Sequence, residues 1–168
     1  MGDITWTNER RKLSDPFWDW LAGFVAADGC FHSANDGKGH LQPRFVIHLR
    51  WDDVDILLEI QERLGFGNIY KKPSYRVGDK PAAQLQIAHV DSLAQLVQIF
   101  DAHPIRAKKQ RDYEIWREMV HLCQQASDVR DKERLRFLHD KLRFVKRYET
   151  DETDEFERQG PEQLELGL

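Results

Sequence analysis

Trp20-Leu21-Ala22-Gly23-Phe24-Val25-Ala26-Ala27-Asp28-Gly29 is the stretch on which the fold of this 168-residue chain turns. Asp15-Pro16 ahead of it is a helix start, because Asp caps free N–H groups and Pro at the first helical position loses no bond. The helix is expected over residues 17–27, stopping at Gly29. Ala22 and Ala26 lie four apart, as do Gly23 and Ala27, so small residues line one side. Glycine costs about 1 kcal/mol inside a helix, and close approach of another helix is a packing reason for it. Asp28 falls at the C-terminal end, where a carboxylate faces the negative end of the helix dipole and loses roughly 0.3–1 kcal/mol. Unpaired backbone carbonyls stand beside it. That arrangement is poor for stability and good for a hard divalent cation such as Mg²⁺. Asp-Gly alone is a polar turn; inside this helix it is a candidate metal site.

Outward from the helix, residues 30–34 form a strand, followed by the turn Asn35-Asp36-Gly37-Lys38-Gly39. Leu41, Phe45, Ile47 and Leu49 then share one face of a second strand, with Gln42, Arg44, Val46 and His48 on the other. Asp52 or Asp53 caps a helix over residues 54–64 with the stripe Val54, Leu57, Leu58 and Ile60, and Gly65 ends it. Residues 68–72 and 83–87 form a second hairpin; Leu85 and Ile87 point inward, Gln84 and Gln86 outward. A third helix over residues 92–100 is capped by Asp91. His103-Pro104 breaks the chain before a helix over 105–125, and a last helix spans 129–148 with the stripe Leu135, Leu138, Leu142 and Val145. The order αββαββα, with further helices after it, predicts an α+β domain: one antiparallel sheet with helices on one face and the other face left to water or a ligand. One such unit is present, without a second copy.

Composition removes several classes. Hydrophobic residues are 40% and charged residues 32% of the chain, enough for a core beneath a charged surface and unlike a disordered, collagen-like or disulfide-stapled chain. Cys30 and Cys123 suggest a reducing, intracellular setting. No apolar run reaches the roughly 20 residues that span a bilayer, and residues 1–12 lack a signal-peptide core, so a soluble protein without a membrane partner is expected. The net charge of −4 is uneven: residues 149–168 carry eight acids and one base, a net of −7, leaving +3 on the body. The expected organisation is an extension over 1–14, a domain over 15–148 and an acidic, disordered tail over 149–168. An acidic total is therefore no argument against a nucleic-acid partner.

Leu21-Ala22-Gly23-Phe24-Val25-Ala26-Ala27-Asp28-Gly29 resembles the LAGLIDADG motif of homing endonucleases. The resemblance runs over roughly residues 15–125 and takes in the Leu64-Gly65-Phe66-Gly67 turn and the Pro104 to Lys108-Lys109 segment. Ala26 departs from the name-motif, which has its first Asp there; the last Asp, the family's catalytic acid, is present as Asp28.

The resemblance implies the αββαββα homing-endonuclease fold with a saddle-shaped sheet. It implies site-specific double-strand DNA cleavage with 3′ overhangs, on a long pseudo-palindromic target. One motif per chain implies a homodimer in which Leu21, Ala22, Gly23 and Ala26 face the second copy. Asp28 and the carbonyl of Ala27 would hold Mg²⁺, with Mn²⁺ or Ca²⁺ able to take the same place. Lys108, with Lys109 behind it, would stabilise phosphate charge or polarise water. The water-positioning residue of the family aligns with Leu49, where His48 or Arg50 could substitute. Double-stranded DNA would be read by His32, His40, Gln42, Arg44, His48, Tyr70, Lys72, Gln84 and Gln86, residue types that bond base edges or phosphates. A solvated sheet face accounts for any one of them; the set is the signal. The basic last helix would dock its Leu stripe and touch flanking phosphates. Two other functions fit the same residues: a nucleic-acid-binding relative that does not cut, such as an intron maturase or a regulator, and a helix-mediated dimerisation protein in which Gly23 serves packing alone.

Overall fold

Asp15 starts the first helix as its side chain accepts the Phe17 N–H at 2.9 Å, with Pro16 at the first helical position. In the computed structural model, which describes residues 15–73 and 80–144, this helix α1 spans Pro16–Asp28. Strands β1 (Gly29–Asn35) and β2 (Leu41–Arg50) follow, then a single 3₁₀ turn, Trp51–Asp53, and α2 (Val54–Leu64). Strands β3 (Asn68–Lys72) and β4 (Ala82–Ile87) precede α3 (Val90–Ala102) and α4 (Lys109–Gln124). A fifth helix, α5, occupies residues 132–144. The fold is the expected α+β arrangement.

All four strands form one antiparallel sheet in the order β1-β2-β4-β3. The helices cover the face carrying Phe31, Phe45, Ile47 and Leu85, and their buried stripes (Leu57, Ile60 and Leu64 of α2; Leu93, Leu96 and Phe100 of α3) close the core. Phe31 is its centre, with Trp116, Phe45 and Tyr113 rings 5.0, 5.3 and 5.4 Å away and Phe100 edge-on at 6.1 Å. Trp116 satisfies its indole N–H on the Arg44 carbonyl at 3.0 Å, so α4 is pinned to β2 as well as packed on it. Arg63 of α2 reaches the Asp15 carboxylate and lies over the Phe17 ring, joining the ends of α1 and α2. The Phe17 N–H first, and Arg63 after it, hold the Asp15 carboxyl below its usual range.

Several boundaries differ from the sequence expectation. Helix α3 begins at Val90, after His89, where Asp91 had been expected to cap it; Asp91 lies inside the first turn. Helix α4 begins at Lys109 instead of residue 105, because Ala107 adopts φ 60, a left-handed conformation no α-helix continues through. The Asp131 carboxylate accepts the Arg134 N–H at 2.8 Å, which starts α5 at residue 132 and leaves Val129 exposed in the preceding turn. Leu58, assigned to the buried stripe of α2, is exposed; Leu57 and Ile60 are buried as expected and Leu64 joins them. Leu135, Leu138 and Leu142 are buried as expected. Val145, the extension over 1–14 and the acidic segment over 149–168 lie outside the described residues.

Candidate active site and nucleic-acid interface

Helix α1 ends on Asp28, and the Gly29 N–H closes its last turn on the Val25 carbonyl. Gly29 is buried against Val25 without room for a side chain, so the chain leaves the helix directly into β1. Asp28 is left exposed at the junction of helix and sheet, with no hydrogen bond or ion pair among the described residues. Past the Val25 carbonyl, the last carbonyls of the helix lie beyond its own N–H donors. A carboxylate beside such a carbonyl, that of Ala27, is an all-oxygen pair fitted to a hard divalent cation, which takes six or more oxygens. Among the described residues no three His, Cys, Asp or Glu side chains gather into a metal cluster. A cation held there would draw only part of its coordination shell from one chain, and phosphate, water or a second chain would supply the rest.

Lys108 stands exposed just before α4 and Lys109 is its first residue, half-buried. Ala107 at φ 60 turns the chain immediately before them. The connection carrying these lysines is anchored to α1: buried His103 places its Nδ1 2.7 Å from the Asp19 carboxylate. That link is separated by 84 residues and has no signal in the sequence.

The open face of the sheet carries rows aligned across the strands. His32 pairs with Arg44; Val46 with Gln86, and Gln86 with Asn68; His48 with Gln84, and Gln84 with Tyr70; Arg50 with Ala82, and Ala82 with Lys72. Gln42, His48 and Tyr70 are exposed, and His32, Arg44, Lys72 and Gln86 are half-buried. The Arg44 Nε is buried with no hydrogen-bond partner. Two expected readout residues are not presented on this face. Gln84 is closed over by its neighbours and donates its amide N–H to Gln86 Oε1 at 3.0 Å, so at this position only Gln86 is presented. His40 belongs to the β1–β2 turn, where its Nδ1 lies 2.7 Å from Asp36. The His40 side chain, followed by the Lys38 N–H, holds the Asp36 carboxyl below its usual range. Leu49 packs against the core on the helix side, so the end of β2 offers His48 and Arg50 to the open face and not Leu49. Arg50 is tied to Asp52 at 2.9 Å; Lys80, at 2.5 Å, is the main cause that lowers the Asp52 carboxyl. Asn68 and Arg50 also lie on this face and were not among the expected readout residues. The two-residue period back from Tyr70 and on from His48 would have found them.

The small-residue side of α1 is divided. Leu21 and Ala22, expected at a helix–helix interface, are buried in this chain's own core. Gly23 and Ala27 are exposed and Ala26 half-exposed, beside Trp20, whose ring stacks on Phe24 at 5.2 Å. A side chain at Gly23 would meet nothing within 4 Å.

The geometry is that of a small α+β protein with an exposed carboxylate at a helix–sheet junction beside the open face of a four-stranded sheet. Residues 21–120 match the family model described as LAGLIDADG endonuclease, and the chain belongs to that family. It is 27% identical over 115 residues to the probable intron-encoded endonuclease Cox1-I1b of Schizosaccharomyces pombe, covering 66% of this chain and 29% of that protein. The chain thus spans under a third of that relative's length. Among solved structures it is similar to the LAGLIDADG meganuclease I-CpaMI bound to uncleaved DNA (27% identity, TM-score 0.55), covering 66% of this chain and 38% of that one. I-AabMI, also bound to uncleaved DNA, gives 26% identity and TM-score 0.61, with 74% and 43% covered. The homing endonuclease I-TnaI shares the fold, with TM-score 0.61 at 24% identity, and is covered over 96% of its length. Among the described residues no helix is long and apolar enough to cross a membrane.

Proposed function

We propose that this chain is a metal-dependent DNA endonuclease that cuts both strands of a long, two-fold related target as a pair of identical chains, leaving 3′ overhangs. The observation that carries the reading is Asp28: an exposed carboxylate without a partner among the described residues, fixed by Gly29 at the edge of the open sheet face. The solved relatives bound to uncleaved DNA support double-stranded DNA as the partner, and the open sheet face is where this chain would receive it. The domain responsible is assigned to residues 15–148, within which the family match falls.

Asp28 and the Ala27 carbonyl would hold the cation, Mg²⁺ under physiological conditions. When bound, such an ion lowers the pKa of water and offsets charge on the leaving oxygen. The chain's own residues position the substrate. His32, Gln42, Arg44, His48, Tyr70, Lys72 and Gln86 present donors and acceptors to the major groove. Lys108 offers an ammonium to the phosphate undergoing attack, with Lys109 behind it. Trp20, Gly23 and Ala27 give the side on which α1 of a second copy would pack, bringing a second Asp28 to the other strand.

Incubating the full chain with a library of duplex sites and Mg²⁺ tests the reading. The expected result is linear product from a small set of sites, lost in Asp28→Asn while binding persists. Cutting by Asp28→Asn near the wild-type rate would overturn the role of Asp28. Binding without cutting at any site would favour a non-cleaving maturase or regulator, and neither would favour a dimerisation protein.

A further inference from the structure

We infer that the cleft between β1 and α5 binds one phosphate of the DNA backbone, outside the open sheet face; the inference rests on the DNA-binding reading above. Helix α5 lays Leu135, Leu138 and Leu142 into the core, and among them His139 is buried. Its Nδ1 lies 2.5 Å from the Ser33 hydroxyl of β1, which joins the helix to the edge strand of the sheet. The cleft beside that contact is lined by His32, Ser33, Asn35 and Arg143, and it continues to Arg136.

The basic groups of α5 and the turn before it are not equivalent. Arg130 donates to the carbonyls of Leu122, Cys123 and Gln125, which close the C-terminal end of α4. Arg134 is engaged by both oxygens of Glu118. Arg136 and Arg143, seven residues apart and so two turns along one face, make no ion pair among the described residues and are exposed. Among the described residues Asp140 is the one carboxylate lining the same cleft, and it offsets one of the two guanidinium charges. The balance remains cationic, with a hydroxyl and an amide as neutral donors. Planar guanidinium forks with such donors match a tetrahedral phosphate oxyanion.

DNA supplies that phosphate, in preference to a free ion, because His32 belongs to two surfaces. It lines the cleft and also stands on the open face opposite Arg44. A duplex on the face therefore passes the mouth of the cleft at the outer edge of β1.

The test measures the affinity of the full chain for a mixed-sequence 30-base-pair duplex, in EDTA, across a salt series. Arg136→Gln/Arg143→Gln is compared with the charge-matched pair Lys132→Gln/Lys141→Gln. Each neutralised phosphate contributes about 0.9 to the slope of log affinity against log salt. The arginine pair is expected to make the slope shallower by about one and leave the melting temperature unchanged, while the lysine pair keeps the slope. Equal loss in both pairs overturns the cleft and leaves only a diffuse field. Inorganic phosphate binding that needs the two arginines, with an unchanged DNA slope, makes the cleft a free-anion site and overturns the DNA assignment. Wild-type affinity with an unchanged slope in the arginine pair overturns the cleft alone. No affinity of the wild type for duplex overturns this inference and the proposed function together.

Discussion

A Cβ placed on Gly29 would lie 2.5 Å from Cγ1 of Val25 and 2.7 Å from the Val25 carbonyl oxygen. The backbone oxygen cannot move aside without breaking the last turn of α1, since it accepts the Gly29 N–H. Asp28 holds its position because the next residue has no side chain. Gly29→Ala is expected to cost about 1–3 kcal/mol, the range for overpacking a close contact. Urea unfolding measures it; a loss below half a kcal/mol would show that the junction yields.

Gly23 gives the opposite expectation. With nothing within 4 Å of a Cβ there, Gly23→Leu has space in its own chain, and its melting temperature should match wild type within the few degrees set by helix propensity. Sedimentation should change instead, from a dimer to a monomer. A dimer that survives the substitution refutes pairing through this side of α1.

Ala107 holds φ 60 directly before the two lysines. A left-handed conformation costs a non-glycine residue roughly 1–2 kcal/mol, and it is worst for a β-branched side chain. Ala107→Gly should therefore hold or raise stability, while Ala107→Val should lower it by more than about 1 kcal/mol. Equal losses for both would mean that residue 107 is not left-handed. If Lys108 acts in cleavage, Ala107→Gly should also slow turnover in a fold of unchanged stability.

His139 makes stability depend on pH. Burial, with Arg143 adding to it, pushes the imidazole below its ordinary value, and Asp140 opposes the shift. The folded chain thus binds this proton less readily than the unfolded chain does. Its contribution is complete above about pH 6.5, the unfolded value, and declines as pH falls from there toward the lower folded value. Urea midpoints from pH 8 to pH 5 should fall on the acid side, and His139→Gln should flatten that decline. An equally steep decline in His139→Gln assigns it to other groups.

Local signals were read well from the sequence. The end of α2 at Leu64 follows from Gly65, at φ 76, just past it; its start does not follow from a cap, because Asp53 makes no side-chain capping hydrogen bond and a 3₁₀ turn, Trp51–Asp53, leads into the helix. Alternation placed Asn68–Lys72 and put Gln86 and Tyr70 on the face opposite Leu85. The place of Asp28 at the C-terminal end of α1 is legible too, since Gly29 stops the helix directly after it. What the sequence did not give depended on contacts far apart in the chain. Ser33 and His139 meet across 106 residues. Leu21 and Ala22 turned inward because the core closed over that side of α1, which periodicity could not decide between two apolar sides. The start of α4 was hidden in Ala107, since alanine is the residue least expected to break a helix.

The rows across the open face imply modularity. Successive outward residues of one strand stand about 6.7 Å apart, close to two base-pair steps of roughly 3.4 Å. For a duplex laid along the sheet, His32 with Arg44 and His48 with Tyr70 would meet different dinucleotide steps. Because His48 and Tyr70 are exposed on the face opposite Ile47 and Leu85, exchanging either leaves the core untouched. Such a surface can be re-lettered one row at a time, and two identical chains would print each change twice, once in each half of the target.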